Sequence, residues 1–218
     1  MIQIKNTVLE VKHLHKSYTD KKVLENVNLS IYEGEFVALN GENGAGKSTT
    51  LHCILGMLSR DSGDIYVSNY HIDIEPVKSR HLVGFSPDDP FLYSYLSGLE
   101  HLKLWAGFRG LDEQSISYGR ALLHHLGLND RDLHNLTSTY SKGMKQKLSF
   151  IGAIFHKPAL IVLDEPFTAM DQDSTEAALQ LLESLKTQKC SMLFSSHQAN
   201  IKNRLADRFL TLKDGHIE

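Results

Sequence analysis

Gly41-Glu42-Asn43-Gly44-Ala45-Gly46-Lys47-Ser48 is a Gly-x4-Gly-Lys-Ser loop, and it follows the apolar run Phe36-Val37-Ala38-Leu39. A short apolar run entering such a loop reads as a buried strand, and the loop predicts a nucleotide phosphate site. A polyphosphate must lie against bare backbone N–H groups, and a side chain at Gly41, Gly44 or Gly46 is expected to hold it away. Lys47 can place an ammonium near the β- and γ-phosphates, and Ser48 can offer its hydroxyl to Mg²⁺. The run Thr49 to Met57 is expected to open a helix whose N-terminus points at the anion.

Upstream of the loop, residues 1 to 39 read as β-rich. Val8 to Val11 and the alternating Val27-Asn28-Leu29-Ser30-Ile31 form strands, and Gly34 turns the chain into the strand that feeds the loop. Ile65 to Val67 and Val83 to Phe85 read as further strands. From about residue 97 to 155 the spacing becomes helical, as in Leu99, Leu102, Ala106 and in Met144, Leu148, Ile151, Phe155. Leu160 to Leu163 is a fully apolar strand, Thr175 to Leu185 an amphipathic helix, and Met192 to Ser195 another strand. Phe209 to Ile217 reads as a hairpin turning at Asp214-Gly215. Strands alternating with helices imply an α/β fold with a parallel core.

With 218 residues, 41% of them hydrophobic, the chain can bury a substantial core as one unit with lobes. Its formal charge of -3 gives no basic excess for nucleic acid or an anionic membrane, so no nucleic-acid partner is expected. No apolar run is long enough to span a bilayer, and Met1 to Lys5 lacks the apolar stretch of a leader. A cytosolic chain, free or docked, is therefore expected. Cys53 and Cys190 have no metal-ligand spacing and read as reduced core residues.

Three further elements carry chemistry. Leu160 to Leu163 runs into Asp164-Glu165-Pro166, which puts two carboxylates at the carboxyl end of a buried strand, where open α/β sheets bind ligands. Asp164 is suited to the Mg²⁺ shell, and Glu165, on the other face, to orienting or deprotonating a water; the plain alternative is an acidic helix cap. Ser141, before Lys142-Gly143-Met144, is either a simple N-cap or part of a second anion site at a helix N-terminus. His197, after Ser195-Ser196, is either a solvated loop histidine or an imidazole within reach of the γ-phosphate.

In this order the pieces resemble the nucleotide-binding subunit of ATP-binding cassette (ABC) transporters across nearly the whole chain. Gly41 to Ser48 resembles the Walker A loop, Leu160 to Asp164 the Walker B strand, Glu165 the catalytic glutamate and Ser141 to Met144 the signature. Thr168-Ala169-Met170-Asp171 resembles the D-loop, His197 the switch histidine and Tyr18 the aromatic that stacks on adenine; without the resemblance Tyr18 reads equally as a ring packing inward.

The resemblance implies a P-loop NTPase (RecA-like) core with an N-terminal antiparallel β subdomain, in residues 1 to 88 and 156 to 218. A helical subdomain, residues 89 to 155, is inserted between Walker A and Walker B. It also implies ATP and Mg²⁺ as ligands, held by Asn43, Ala45 and Thr49 besides the residues above, with Lys47, Glu165 and His197 catalytic. Ser141 and Gly143 are implied to act on the ATP of a second subunit, in a homodimer or heterodimer joined to a separate transmembrane permease at the inner membrane face.

Two departures stand out. The usual Leu-Ser-Gly-Gly-Gln reads Tyr140-Ser141-Lys142-Gly143-Met144, keeping the serine and second glycine. Asp88, in Ser86-Pro87-Asp88-Asp89-Pro90, stands where the family places glutamine, and being short and anionic it reaches Mg²⁺ only through water or loop movement. Both resemble the ATPases of bacterial ABC-2 type exporters. The aromatic segment Pro90 to Leu96 reads either as packing within the helical insert or as a groove for a permease helix. Two other functions share the loop: a soluble cassette ATPase acting on nucleic acid or ribosomes, and a P-loop small-molecule kinase. The Asp164-Glu165 pair, with Ser141, Gly143 and His197, favours attack by water over transfer to a metabolite.

Overall fold

The computed structural model of the chain describes residues 6–19 and 21–218; Met1 to Lys5, read above for a leader, and Asp20 lie outside them. Two twelve-residue strands, β1 (Thr7–Tyr18) and β2 (Lys21–Tyr32), pair antiparallel and lead to β3 (Phe36–Asn40), the phosphate loop and α1 (Lys47–Ile54). Next come β4 (Ser62–Val67), β5 (Tyr70–His71), α2 (Pro76–His81) and β6 (Val83–Ser86). The helices α3 (Gly98–Arg109), α4 (Glu113–His125), α5 (Asp130–His134) and α6 (Lys142–Ile154) follow, with a 3₁₀ turn at Thr137–Thr139. The chain returns through β7 (Leu160–Leu163), α7 (Gln172–Thr187), β8 (Ser191–Phe194), α8 (Ala199–Leu205), β9 (Arg208–Lys213) and β10 (His216–Ile217).

Two sheets result. One is antiparallel, in the order β2-β1-β4-β5; the other runs β10-β9-β3-β8-β7-β6 and is parallel except for β10. The α/β class and the amino-terminal antiparallel sheet are as the sequence implied. β6 and β7 are neighbours in the sheet although all of α3 to α6 lies between them in the chain. This connection leaves the helical part on one side and returns the chain beside its departure point.

Strand periodicity explains the layering. In β3, Phe36 and Ala38 face a core shared with α3, α4, α6 and α7, whereas Val37 and Leu39 face a second core shared with α1 and the antiparallel sheet. In β7, Ile161 and Leu163 join the first core and Leu160 and Val162 the second. A sheet buried on both faces needs unbroken apolar strands, and Leu160 to Leu163 supplies one.

Local chemistry sets the element ends. α3 starts at a capping box: Ser97 Oγ accepts the Glu100 N–H at 3.3 Å and Glu100 Oε2 accepts the Ser97 N–H at 2.7 Å. The final hairpin turns at Asp214 and Gly215 with φ of 48° and 80°, the two positive values that a type I′ turn requires. Two expected helices are displaced. α1 begins two residues before Thr49, because Gly46 at φ 105° swings the chain directly into helix, and it ends at Ile54, short of Met57, with Leu55 as C-cap and Gly56 just beyond at φ 62°. α7 begins before Thr175, because Asp171 Oδ1 accepts the Ser174 N–H at 2.9 Å and caps it. Cys53 and Cys190 are buried free thiols, and burial pushes Cys190 up to about 12.

Candidate active site

The phosphate loop leaves β3 and enters α1 at Gly46, an N-cap with left-handed backbone and no side-chain cap bond. The first N–H groups of α1 therefore stay unclaimed by any cap and point out of the helix end. A Cβ on Gly44 (φ 80°) would meet nothing within 4 Å, so there the missing side chain keeps the approach to the loop open. Gly41 and Gly46 are required for a second reason that lies in the protein's own packing. A Cβ on Gly46 would lie 2.9 Å from Val23 Cγ1, and one on Gly41 2.7 Å from the Leu212 carbonyl oxygen. Packing against β2 and β9 demands these two glycines. Lys47 Nζ donates to the carbonyls of Gly41 at 2.8 Å and Glu42 at 3.0 Å, which ties both ends of the loop together.

At the end of β7, Asp164 keeps strand pairing, its N–H donating to Ser86 O at 2.9 Å. Glu165 does not: its φ is 46°, and its N–H turns to Ser195 Oγ at 3.0 Å. The two carboxylates thus diverge through a left-handed residue, not through simple strand alternation, at a cost of about 1–2 kcal/mol for a residue with a Cβ. Ser195, at the end of β8, also donates its hydroxyl proton to Asp164 Oδ1 at 2.6 Å. Glu165 Oε2 accepts the backbone N–H of His197 at 3.0 Å. Glu165 Oε1 is buried and makes no hydrogen bond among the described residues, with His197 Nε2 3.5 Å from it. The carboxylate is therefore held by one oxygen while the other retains a free acceptor site. His197 itself is mostly solvated, its side chain 63% exposed.

These groups face one cleft of about 460 Å³, lined by Tyr18, Lys21, Val23, Asn43, Gly44, Gly46, Lys47, Ser48, Thr49, Asp88, Asp164, Glu165 and His197. Gly41 and Ala45 line an adjoining hollow together with residues of β9 and the final turn. Tyr18 does not pack inward: it is 47% exposed at the cleft's rim, with Lys16 Nζ 5.2 Å from its ring centroid. Ser141 and Gly143 are not among the residues lining the cleft. Ser141 is exposed and caps α6, accepting the Met144 N–H at 3.2 Å, while Tyr140 is buried and donates its hydroxyl to Asp132 O at 2.7 Å. The sequence did not reveal Lys21 or Ser195, and Ser195 carried only the weak signal of a hydroxyl two residues before His197.

The aromatic segment is divided. Tyr93 stacks on His101, ring centroids 6.1 Å apart, and its N–H donates to His101 Nε2 at 3.0 Å, whereas Phe91 is 88% exposed. Phe91 lies beside a groove of about 580 Å³ lined by Met57, Phe85, Leu92, Trp105 and Arg109 among others.

The profile of the family described as ABC transporter matches residues 24–168. Linearmycin resistance ATP-binding protein LnrL of Bacillus subtilis (strain 168) is 31% identical over 211 residues, 96% of this chain and 68% of that one. A structure described as the ATP-binding subunit of an ABC transporter superposes with a TM-score of 0.91 at 36% identity, covering 96% of this chain and 88% of the other. The ATP-binding cassette MJ0796, as a post-hydrolysis dimer with ADP and Pi, superposes with a TM-score of 0.87 at 28% identity, covering 96% of each. A phosphate loop, a strand-end carboxylate pair and these likenesses lead to one conclusion: the chain belongs to the ABC transporter family, as an ATP-binding and ATP-hydrolysing subunit.

Proposed function

We propose that this subunit powers export through a separate membrane permease, by closing and reopening a head-to-tail pair of ATPase subunits at the inner membrane face. One observation carries the reading: Lys47, Asp164, Glu165 and His197 converge on the cleft, while Ser141 and Gly143 lie off it on α6. A cleft with an open outer side is completed when a second subunit brings its own Ser141 and Gly143 over the γ-phosphate. The lobe of residues 89 to 155 then moves with that contact, against the rest of the chain. Export is the direction favoured by the linearmycin-resistance relative and by the departures at Lys142 and Asp88.

Within the site, the exposed face of Tyr18 stacks on adenine, and the loop from Gly41 to Thr49, with Asn43 and Ala45, wraps the phosphates. Mg²⁺ fits the donors present. Among the described residues no three His, Cys, Asp or Glu cluster to hold a metal by themselves, and Mg²⁺ is typically held by one or two carboxylates together with substrate phosphates. Ser48 and Asp164 are those protein donors, the latter aimed by Ser195, with Asp88 acting through water. When bound, the ion draws charge from the β- and γ-oxygens. Glu165 Oε1 accepts the proton of the attacking water, while its other oxygen stays on the His197 N–H. The His197 imidazole, beside that carboxylate, contacts the γ-phosphate.

The groove beside Phe91 is the seat of a permease helix, with Phe91 and Met57 as exposed apolar contacts. The test uses tagged Glu165→Gln protein from its native host. Saturating MgATP should convert it to a dimer that hydrolyses at least about 100-fold more slowly, and one membrane polypeptide should co-purify and cross-link from Phe91→Cys. A strictly monomeric variant refutes the paired mechanism, and an active complex without that cross-link refutes the groove assignment. A rise in the cell's content of the cargo when the subunit is deleted supports export; a fall reverses it.

A further inference from the structure

We infer that Lys147 is a positioning residue for hydrolysis, tying the turn that carries Ser141 and Gly143 to Asp171 and, through the segment 165–171, setting the Glu165 carboxylate. This rests on the reading of Glu165 as the group that takes the water's proton.

Lys147 sits one and a half turns into α6 with its side chain only 11% exposed, and its Nζ lies 2.8 Å from Asp171 Oδ2. A largely buried ammonium is costly to desolvate unless its partner is fixed. Asp171 is fixed twice over: Oδ1 accepts the Ser174 N–H at 2.9 Å, and Ser174 Oγ lies 2.9 Å from Oδ2. Lys147 and these Ser174 contacts hold the Asp171 carboxyl well below the usual carboxylate range, so the contact favours its ionised form. As a helix cap Asp171 needs only Ser174; the lysine adds a tie to a different helix.

A second contact joins the same two segments. A Cβ on Gly143 would come within 2.6 Å of the Ala169 carbonyl oxygen, so the first turn of α6 lies directly on the backbone of the 168–171 segment. At its other end this segment is fastened to Glu165, whose carbonyl accepts the Thr168 hydroxyl at 2.9 Å. Glu165 to Asp171 is thus a seven-residue bridge, held at one end by Ser195 and His197 and at the other by Lys147. Because Glu165 is already in strained left-handed backbone, its carboxylate direction depends on how the bridge is anchored. One residue before Lys147, the buried Gln146 donates from Nε2 to Pro87 O at 3.2 Å, so α6 also holds the loop that carries Asp88. The helix that presents Ser141 is therefore joined to both acidic loops of the cleft.

The experiment measures steady-state ATPase activity, ATP binding and thermal unfolding for the full chain with its permease, as parent, Lys147→Met, Lys147→Arg and Glu165→Gln. Lys147→Met should keep KM within about threefold and lose about 10- to 100-fold in kcat, the scale of a slightly misplaced catalytic group. Lys147→Arg, which still reaches Asp171, should recover most of that loss. In the Glu165→Gln background, Lys147→Met should lower the residual rate no further, since the group it positions is gone. Should Lys147→Met unfold, Asp171→Asn keeps the cap, removes the charge, and should give the same kcat loss. Parent kcat in Lys147→Met or Asp171→Asn, a loss that Lys147→Arg does not repair, or an equal further loss without Glu165 overturns the positioning role. Parent-rate hydrolysis by Glu165→Gln instead overturns the assignment of Glu165 on which it stands.

Discussion

Ser195 Oγ donates its only proton to Asp164 Oδ1 at 2.6 Å, and the same oxygen accepts the backbone N–H of Glu165 at 3.0 Å. One hydroxyl just past β8 therefore aims the carboxylate proposed for Mg²⁺ and holds the residue proposed for water activation in its left-handed turn. Outer partners that orient metal ligands typically contribute 10- to 100-fold to metal affinity or activity.

Ser195→Ala should accordingly raise the Mg²⁺ concentration needed for half-maximal ATPase activity by about 10-fold or more, and lower the maximal rate as well. It leaves a buried carboxylate oxygen and an N–H without this partner, so stability should fall by about 1–3 kcal/mol. A Mg²⁺ titration of the purified variant is the measurement. An unchanged midpoint together with an unchanged maximal rate contradicts the arrangement.

Much of this was legible from the chain. The loop at Gly41 to Ser48, the apolar strand before Asp164 and the Asp214-Gly215 turn are local signals, since each demands particular residue types at fixed spacing. What stayed hidden depends on partners far away in sequence. Ser195 looks like any strand-end serine until β8 is laid beside β7. The reasons for Gly41 and Gly46 lie in Leu212 and Val23, which no pattern around the loop reveals. The left-handed backbone of Glu165 was hidden too, because strand alternation predicts opposite faces and cannot show that the strand ends one residue earlier.

Gly84 belongs to the same hidden class. It reads as an ordinary residue in a short strand, yet a Cβ there would fall 1.7 Å from the Ala153 carbonyl oxygen, with Pro158 Cγ at 3.1 Å. The backbones of β6 and α6 touch at this point, and α6 carries Ser141 at its start. Gly84→Ala must push α6 off the sheet and should cost about 3 kcal/mol, the upper range for overpacking a core. Denaturant unfolding measures it, and a loss below about 1 kcal/mol would mean that the helix slides aside freely.

His156, just beyond α6, supplies a pH dependence separate from catalysis. Burial, reinforced by the cation of Arg109, pushes its imidazole down to about 3, so the folded protein keeps it neutral while the unfolded chain titrates near 6.5. The stability that this neutral ring represents is complete above pH 6.5 and is lost as pH falls from there towards 3. Between pH 7 and 5 the loss should be about 2 kcal/mol, or roughly 4–8 °C in Tm for a chain of this size. His101, lowered by burial, acts in the same direction, whereas Asp130, held at about 2 by Arg120 and His124, keeps its full contribution above about pH 4 and loses it only as pH falls from there towards 2. His156→Phe removes the titrating group and should flatten Tm across pH 5 to 7 by its share, leaving the part due to His101. A Tm profile with the parent slope would show that the His156 ring is protonated as readily in the folded protein as in the unfolded chain.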